Sequence, residues 1–146
     1  MEKFTLQSCM MFTTNHGAKL FQSVLTQKLK TVEINYNTWL ALYFINSNNK
    51  ITQNNLAKLV GITGPSMVKI VEKMRQAGLV DEEKDEQDHR QKHIYLTNQG
   101  IEKYDQALKI VTDYQTLMTS GVSQSDLNTA ATVINKMIEN AQQELE

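Results

Sequence analysis

Residues 52–75 read TQNNLAKLVGITGPSMVKIVEKMR, and this spacing admits few folds. Thr52 is a capping residue ahead of Leu56, Ala57, Leu59 and Val60, a short helix that Gly61 can end with a positive φ. Thr63 caps a second helix almost at once. Gly64 and Pro65 occupy its first turn, where the missing proline N–H is harmless. Met67, Ile70, Val71 and Met74 recur at three- and four-residue steps and make its buried stripe. Ala57 is small where the helices would cross, and Ile62 plugs the turn into a core. Two helices joined this tightly predict a helix-turn-helix. Gly64, Pro65, Ser66, Lys69 and Lys73 are left on the outer face, weighted to the half of the second helix that such motifs present to base edges and phosphates.

Gly78 ends that helix, and the next run narrows the choice further. Leu79-Val80 to Lys84 reads as a strand, residues 85–91 as a polar tip, and Lys92 to Leu96 as the return strand. The stretch DEQDHRQKHIYLTNQG, residues 85–100, thus passes from charges and amides into alternating apolar residues and then, at Thr97, into another helix.

The flanks are helical. Apolar residues from Met10 to Leu29 predict a first helix over about 4–30, weakened around Asn15 to Gly17. Asn35 caps a second, carrying Trp39, Leu42, Tyr43 and Ile45, and residues 46–50 read as a loop. Ile101, Tyr104, Leu108, Val111 and Met118 share one face of a later helix. Ser123 and Asp126 resemble a capping box for a last one, with Leu127, Ala131, Ile134, Met137, Ile138, Ala141 and Leu145 at near-heptad spacing. These terminal helices hold more apolar surface than a small central unit covers, which predicts a helical dimer interface.

The bulk numbers bound the rest. A chain of 146 residues with 40% apolar content is one ordinary domain with a core. The formal charge is −1, so a polyanion has to be held by a local patch. Residues 50–95 hold eight Lys and Arg against seven Asp and Glu, a net +1. The single cysteine, Cys9, excludes an internal disulfide and suits a reducing cytoplasm. No apolar run approaches the roughly 18 residues of a membrane helix, so the expected location is cytoplasmic, with no membrane partner.

The run GITGPSMVKIVEKMRQAGLVDEEKDEQDHRQKHIYLTNQG, residues 61–100, resembles the MarR-type winged-helix transcriptional regulators. The family's wing pattern, Asp-x-Arg followed by a strand and Leu-Thr-x-x-Gly, stands here as Asp88-x-Arg90, Ile94-x-Leu96-Thr97 and Gly100; Gly78-Leu79-Val80 follows the recognition helix. The resemblance implies a mainly α fold, residues 1–146 forming one MarR-like domain. Residues 34–100 would be the winged helix-turn-helix lobe, and 1–30 with 101–146 the dimerisation helices. It implies a homodimeric regulator of transcription, a repressor before an activator, on the inverted repeat of a double-stranded operator. The recognition helix would lie in the major groove and Arg90 would reach the minor groove, with Asp88 orienting the arginine or the turn. His89, Gln91 and Lys92 would flank the DNA backbone. One departure stands out: the family's recognition helix usually starts with more hydroxyl and basic residues, where this chain has Gly64, Pro65 and Met67.

Further expectations concern regulation. Effectors of such regulators bind between the dimer helices and the DNA lobe, where Phe12, His16, Trp39 and Tyr43 are the candidates for a small-molecule site; plain packing is the competing reading for each. Cys9 is a candidate redox site, since some relatives sense peroxide through a cysteine in this helix, against a plain half-buried role. His89 and His93 are four apart across a hairpin, too few for a closed metal site of about four ligands, so no metal and no cofactor are expected. No catalytic triad, carboxylate pair or phosphate-cradling glycine loop is present, so the chain does not read as an enzyme. A winged-helix adaptor that binds protein instead of DNA is the remaining alternative, supported only by the near-neutral lobe.

Overall fold

The computed structural model describes residues 2–146, as two compact units, the first ending at Tyr114 and the second comprising Gln115–Glu146. The described residues form helices α1 (Met10–Leu29) and α2 (Tyr36–Asn48), strand β1 (Ile51–Thr52), helices α3 (Gln53–Val60) and α4 (Gly64–Gln76), strands β2 (Val80–Lys84) and β3 (Lys92–Leu96), and helices α5 (Asn98–Met118) and α6 (Gln124–Glu144). This is a mainly α winged helix-turn-helix fold.

Local chemistry sets most of the boundaries. The side chains of Asn35, Thr52, Thr63 and Ser123 each accept from the backbone N–H three residues on, at 2.9 to 3.3 Å. Each thereby satisfies one orphan donor of a first turn. Gly61 ends α3 at φ 82°. Gly78 follows α4 at φ 75°, where its N–H donates to Arg75 O and the Leu79 N–H to Met74 O, the paired bonds of a Schellman stop.

Three expectations need correction. The first helix begins at Met10, not near residue 4. Thr5 caps a single 3-10 turn, Leu6–Ser8, and the extended backbone of Cys9 separates that turn from α1, which then runs unbroken past Gly17. Helix α2 continues through Asn48 into the expected loop, because Ser47 Oγ and Asn48 Nδ2 donate back to the carbonyls of Tyr43 and Phe44. The wing is part of a three-stranded antiparallel sheet, order β1-β3-β2, since Ile51 pairs with Ile94 and Thr52 with His93. Thr52 is both the end of a strand and the cap of α3.

The core of the first unit gathers the sides that periodicity singled out. Leu29, Leu42, Ile45, Leu56, Met67 and Ile94 have no exposed surface, and Val71, Met74 and Val80 almost none. Burying a side chain of this size contributes about 1.5–3 kcal/mol. Trp39 stacks on Tyr104 of α5 with ring centres 5.9 Å apart. Thr97 caps α5 through the Gly100 N–H and donates its own hydroxyl proton to Gly78 O. A Cβ on Gly100 would collide with the Leu79 carbonyl. The Thr and Gly of the Leu-Thr-x-x-Gly pattern therefore dock α5 against the turn that follows α4.

In the second unit, α6 buries none of its residues. Val133, Ile134 and Ile138 are 37–47% exposed.

Candidate nucleic-acid interface

Helix α4 offers its outer face to solvent because its opposite face is anchored by Met67, Val71 and Met74. Gly64, Pro65, Ser66, Lys69 and Lys73 are all exposed. Thr63 Oγ1 accepts from the Ser66 N–H at 3.3 Å and donates to Ser66 Oγ at 2.8 Å. Ser66 thus keeps its own hydroxyl proton to give to a phosphate or base. Gly64 has no side chain beside it, and although Pro65 lacks an N–H and the Ser66 N–H is taken by Thr63, the helix dipole still favours an anion at this end.

The wing is built from two successive aspartate turns. Asp85 Oδ1 accepts from the N–H groups of Gln87 and Asp88 at 2.8 and 3.1 Å. Asp88 Oδ1 accepts from the Arg90 N–H at 3.1 Å and from Arg90 Nε at 3.4 Å. Short carboxylates that bond the backbone two or three residues on are what make aspartate a turn former. The tip closes with Asp85 N–H to Gln91 O and Gln91 N–H to Asp88 O, both at 3.0 Å. The Arg90 side chain stands out from it, 93% exposed. His89, Gln91 and Lys92 are exposed beside it.

The acidic lead-in of the wing is consumed inside the lobe. Glu82 pairs with Lys92 at 3.5 Å, and Glu83 with Lys50 at 2.7 Å. Asp85 Oδ2 lies 2.8 Å from His93 Nε2. The His93 bond first, then the backbone N–H groups of Asp88 and Gln87, lower the Asp85 carboxyl to about 2. Glu83 raises the Lys50 ammonium. Asp88 takes Arg90, and Glu72 faces Arg75 at 3.9 Å. Exposed pairs like these contribute little stability, but they decide where field remains. Lys58, Lys69, Lys73 and Lys84 enter none of the lobe's ion pairs, against Asp81 and Glu86 among its acids. The net +1 of the lobe is therefore unevenly spread, with two of its uncommitted cations on the face of α4.

Between α3, α4 and the wing runs a crevice of about 620 Å³. Gln53, Asn54, Asn55 and Lys58 line it from α3, Val68, Glu72 and Arg75 from α4, and Glu82, Arg90, Gln91 and Lys92 from the wing. Arg90 and Lys92 share this crevice with Glu72 and Arg75 of α4, whereas the exposed Lys69 and Lys73 do not line it. Lys58 and Arg75 were not singled out by sequence reading. Their signal was present: with Leu56 and Ala57 inward, positions 54, 55 and 58 share the outer face of α3, and Arg75 stands seven residues after Val68.

The other sequence candidates lie apart from this surface. Phe12 and His16 stack on each other along α1, centroids 6.1 Å apart, both exposed. Trp39 is core and tilts against half-exposed Tyr43. The four do not form one ring cluster; they are two pairs. Cys9 is half-buried at the N-cap of α1, without a side-chain cap bond. Among the described residues no three His, Cys, Asp or Glu gather as a metal site would require, and no helix is long and apolar enough to cross a membrane.

Comparison with known proteins gives a consistent picture. The model of the MarR family matches residues 33–91. The structure of the S. aureus MepR–DNA complex superposes with a TM-score of 0.82 at 22% identity, covering 94% of this chain and 99% of that one. A mutant MarR from E. coli complexed with operator DNA gives 0.80 at 17%, covering 86% and 90%. CouR from Rhodococcus jostii bound to p-coumaroyl-CoA gives 0.83 at 18%, covering 92% and 95%.

Proposed function

We propose that this chain, whose residues 33–91 match the model of the MarR family, is a DNA-binding regulator of transcription that acts as a homodimer on an inverted-repeat operator. One observation carries the reading. Helix α4 exposes Ser66, Lys69 and Lys73, and the projecting Arg90 of the wing lines with Lys58, Arg75 and Lys92 a crevice between α3, α4 and the wing, where Glu72 and Glu82 are each paired with one of these cations. In this arrangement α4 enters the major groove, Arg90 the adjacent minor groove, and the strand between them crosses Lys58, Arg75 and Lys92. His89 and Gln91 flank that strand, and Asp88 aims the arginine. Two proteins of similar fold, MarR and MepR, are solved in complex with DNA, which supports this reading. The pairing of the acids with Lys50, Lys92 and His93 weakens the case for a DNA-independent adaptor, whose support was the near-neutral charge.

The exposed apolar faces of α1 and α6 form the dimer contact in this reading, with 1–30 and 101–146 as the dimerisation segments around the lobe 34–100. Repression, relieved by a small molecule near Phe12, His16, Trp39 and Tyr43 or by oxidation of Cys9, in the cytoplasm, completes the proposal. CouR from Rhodococcus jostii, a protein of similar fold, is bound to p-coumaroyl-CoA, which supports a small-molecule site in this reading.

The test is selection of duplexes from the source genome, followed by binding at graded salt. Recovered sites should hold an inverted repeat with half-sites about one helical turn apart. Lys69→Ala and Arg90→Ala should each cost about 1–3 kcal/mol if the residue reads bases, and should lower the salt slope by about 1 if it holds a phosphate. Binding indifferent to both changes would sink the mechanism.

A further inference from the structure

The wing holds a polar relay that nothing in the DNA-contacting surface requires of itself. The β2–β3 ladder ends on Lys84 opposite Lys92, a like-charged rung that closes a hairpin poorly. Beyond it residues 85–91 have no strand partners. Two backbone bonds close them, Asp85 N–H to Gln91 O and Gln91 N–H to Asp88 O, and their side-chain bonds run back to His93, which sits on β3 opposite Glu83 with only 23% of its side chain exposed. His93 Nε2 meets Asp85 Oδ2 at 2.8 Å. A carboxylate only accepts, so Nε2 carries the proton. That leaves Nδ1, in the neutral ring, as the lone-pair nitrogen, and it is buried without a partner. The other Asp85 oxygen holds the Gln87 and Asp88 N–H groups, and Asp88 in turn holds Arg90 through its N–H and Nε.

We propose that Asp85 and His93 are positioning residues: they fix the wing tip on the sheet so that Arg90, reached through Asp88, is presented to DNA in one geometry. The inference rests on the reading of Arg90 as a DNA contact. It resolves an apparent contradiction. By charge alone an aspartate at the tip repels a polyanion, and removing it should tighten binding. As a positioning group its removal should weaken binding, because an exposed arginine on a loosened loop is competent for only a fraction of the time.

Asp85→Ala and Asp85→Asn separate the two effects, since both delete the same charge. Asparagine keeps an oxygen for the two N–H groups and alanine keeps nothing. Against a duplex recovered by selection from random-sequence DNA, Asp85→Ala should weaken binding on the order of tenfold, within the loss given by Arg90→Ala. Asp85→Asn should lose clearly less. Glu86→Gln, which removes an equal charge from an exposed tip residue, should bind slightly tighter. In an Arg90→Ala background, Asp85→Ala should cost nothing more. A second measurement needs no DNA: heteronuclear NOE values of the Gln87, Asp88 and Arg90 amides should fall in Asp85→Ala and in His93→Ala, while the Ile94 amide reports an intact sheet. Asp85→Ala binding as tightly as Glu86→Gln, or tip amides unchanged in both variants, would overturn the proposal. A wild-type chain that binds no duplex would remove the regulatory reading and leave the tip amides to decide this one.

Discussion

Helices α4 and α6 invite comparison. Both are amphipathic, both start at a hydroxyl cap, and both carry apolar residues at three- and four-residue steps. Yet α4 buries Met67, Val71 and Met74, while α6 buries nothing and exposes Val133, Ile134 and Ile138. The same sequence pattern is satisfied within the chain in one case and left open in the other. Periodicity therefore states that a face seeks cover; it does not state whose. The lobe around α4 is a finished core, whereas the α6 face is left exposed, and the dimer proposed above would cover it.

The largest effect expected from that contrast is at Met67. Met67→Ala should destabilise the lobe by about 2–5 kcal/mol, the range for truncating a fully buried side chain. The loss relative to wild type should be the same at every protein concentration. Ile138→Ala should lower Tm only where the protein is dimeric, so its loss should change as the sample is diluted. Equal and dilution-independent losses at both positions would break the comparison, because α6 would then be covered within its own chain.

A somewhat smaller effect tests the surface directly. Ile134→Asp combined with Ile138→Asp should convert a dimer into a monomer in sedimentation equilibrium, with near-UV circular dichroism of the Trp39 core unchanged. If two lobes share one operator, losing the second lobe forfeits the gain of tethered binding, roughly 10²-fold or more. A double variant that remains dimeric would place the interface elsewhere.

The contrast also explains what the sequence made legible. The caps at Asn35, Thr52, Thr63 and Ser123 and the stops at Gly61 and Gly78 were readable because each works over three or four residues of its own backbone. Met67, Val71, Met74 and Ile94 were readable as core from their period. Strand β1 was not, since two residues become a strand only through a partner more than forty positions later. The start of α1 was missed because Thr5 serves a 3-10 turn instead of the long helix. The acidic lead-in of the wing looked adverse to DNA for the same reason of range. Glu82, Glu83 and Asp85 find Lys92, Lys50 and His93 across strands, and no local rule pairs them. Lys58 and Arg75 carried a facing signal, but the crevice they share exists only once α3, α4 and the wing are assembled.

The smallest expected effect concerns a third way of being satisfied, polar where α4 is apolar. The wing tip is closed by the Asp85 carboxylate, so acid should open it where apolar packing is indifferent. Its carboxyl is lowered to about 2 by the His93 bond and the two tip N–H groups, whereas a free aspartate titrates near 3.9. A lowered carboxyl favours the ordered form above the ordinary value and loses that contribution as pH falls through the lowered one. Order at the Gln87 and Asp88 amides should therefore hold from pH 7 down to about 4 and fade between there and about 2. The Ile94 amide would serve as the reference for general unfolding. In Asp85→Asn the same amides should show no such step, having no carboxyl to titrate. If instead the wild-type tip loosens well above about pH 4 while Ile94 holds, the closure follows a group other than Asp85. The carboxylate would then be a passenger on a tip held by other bonds.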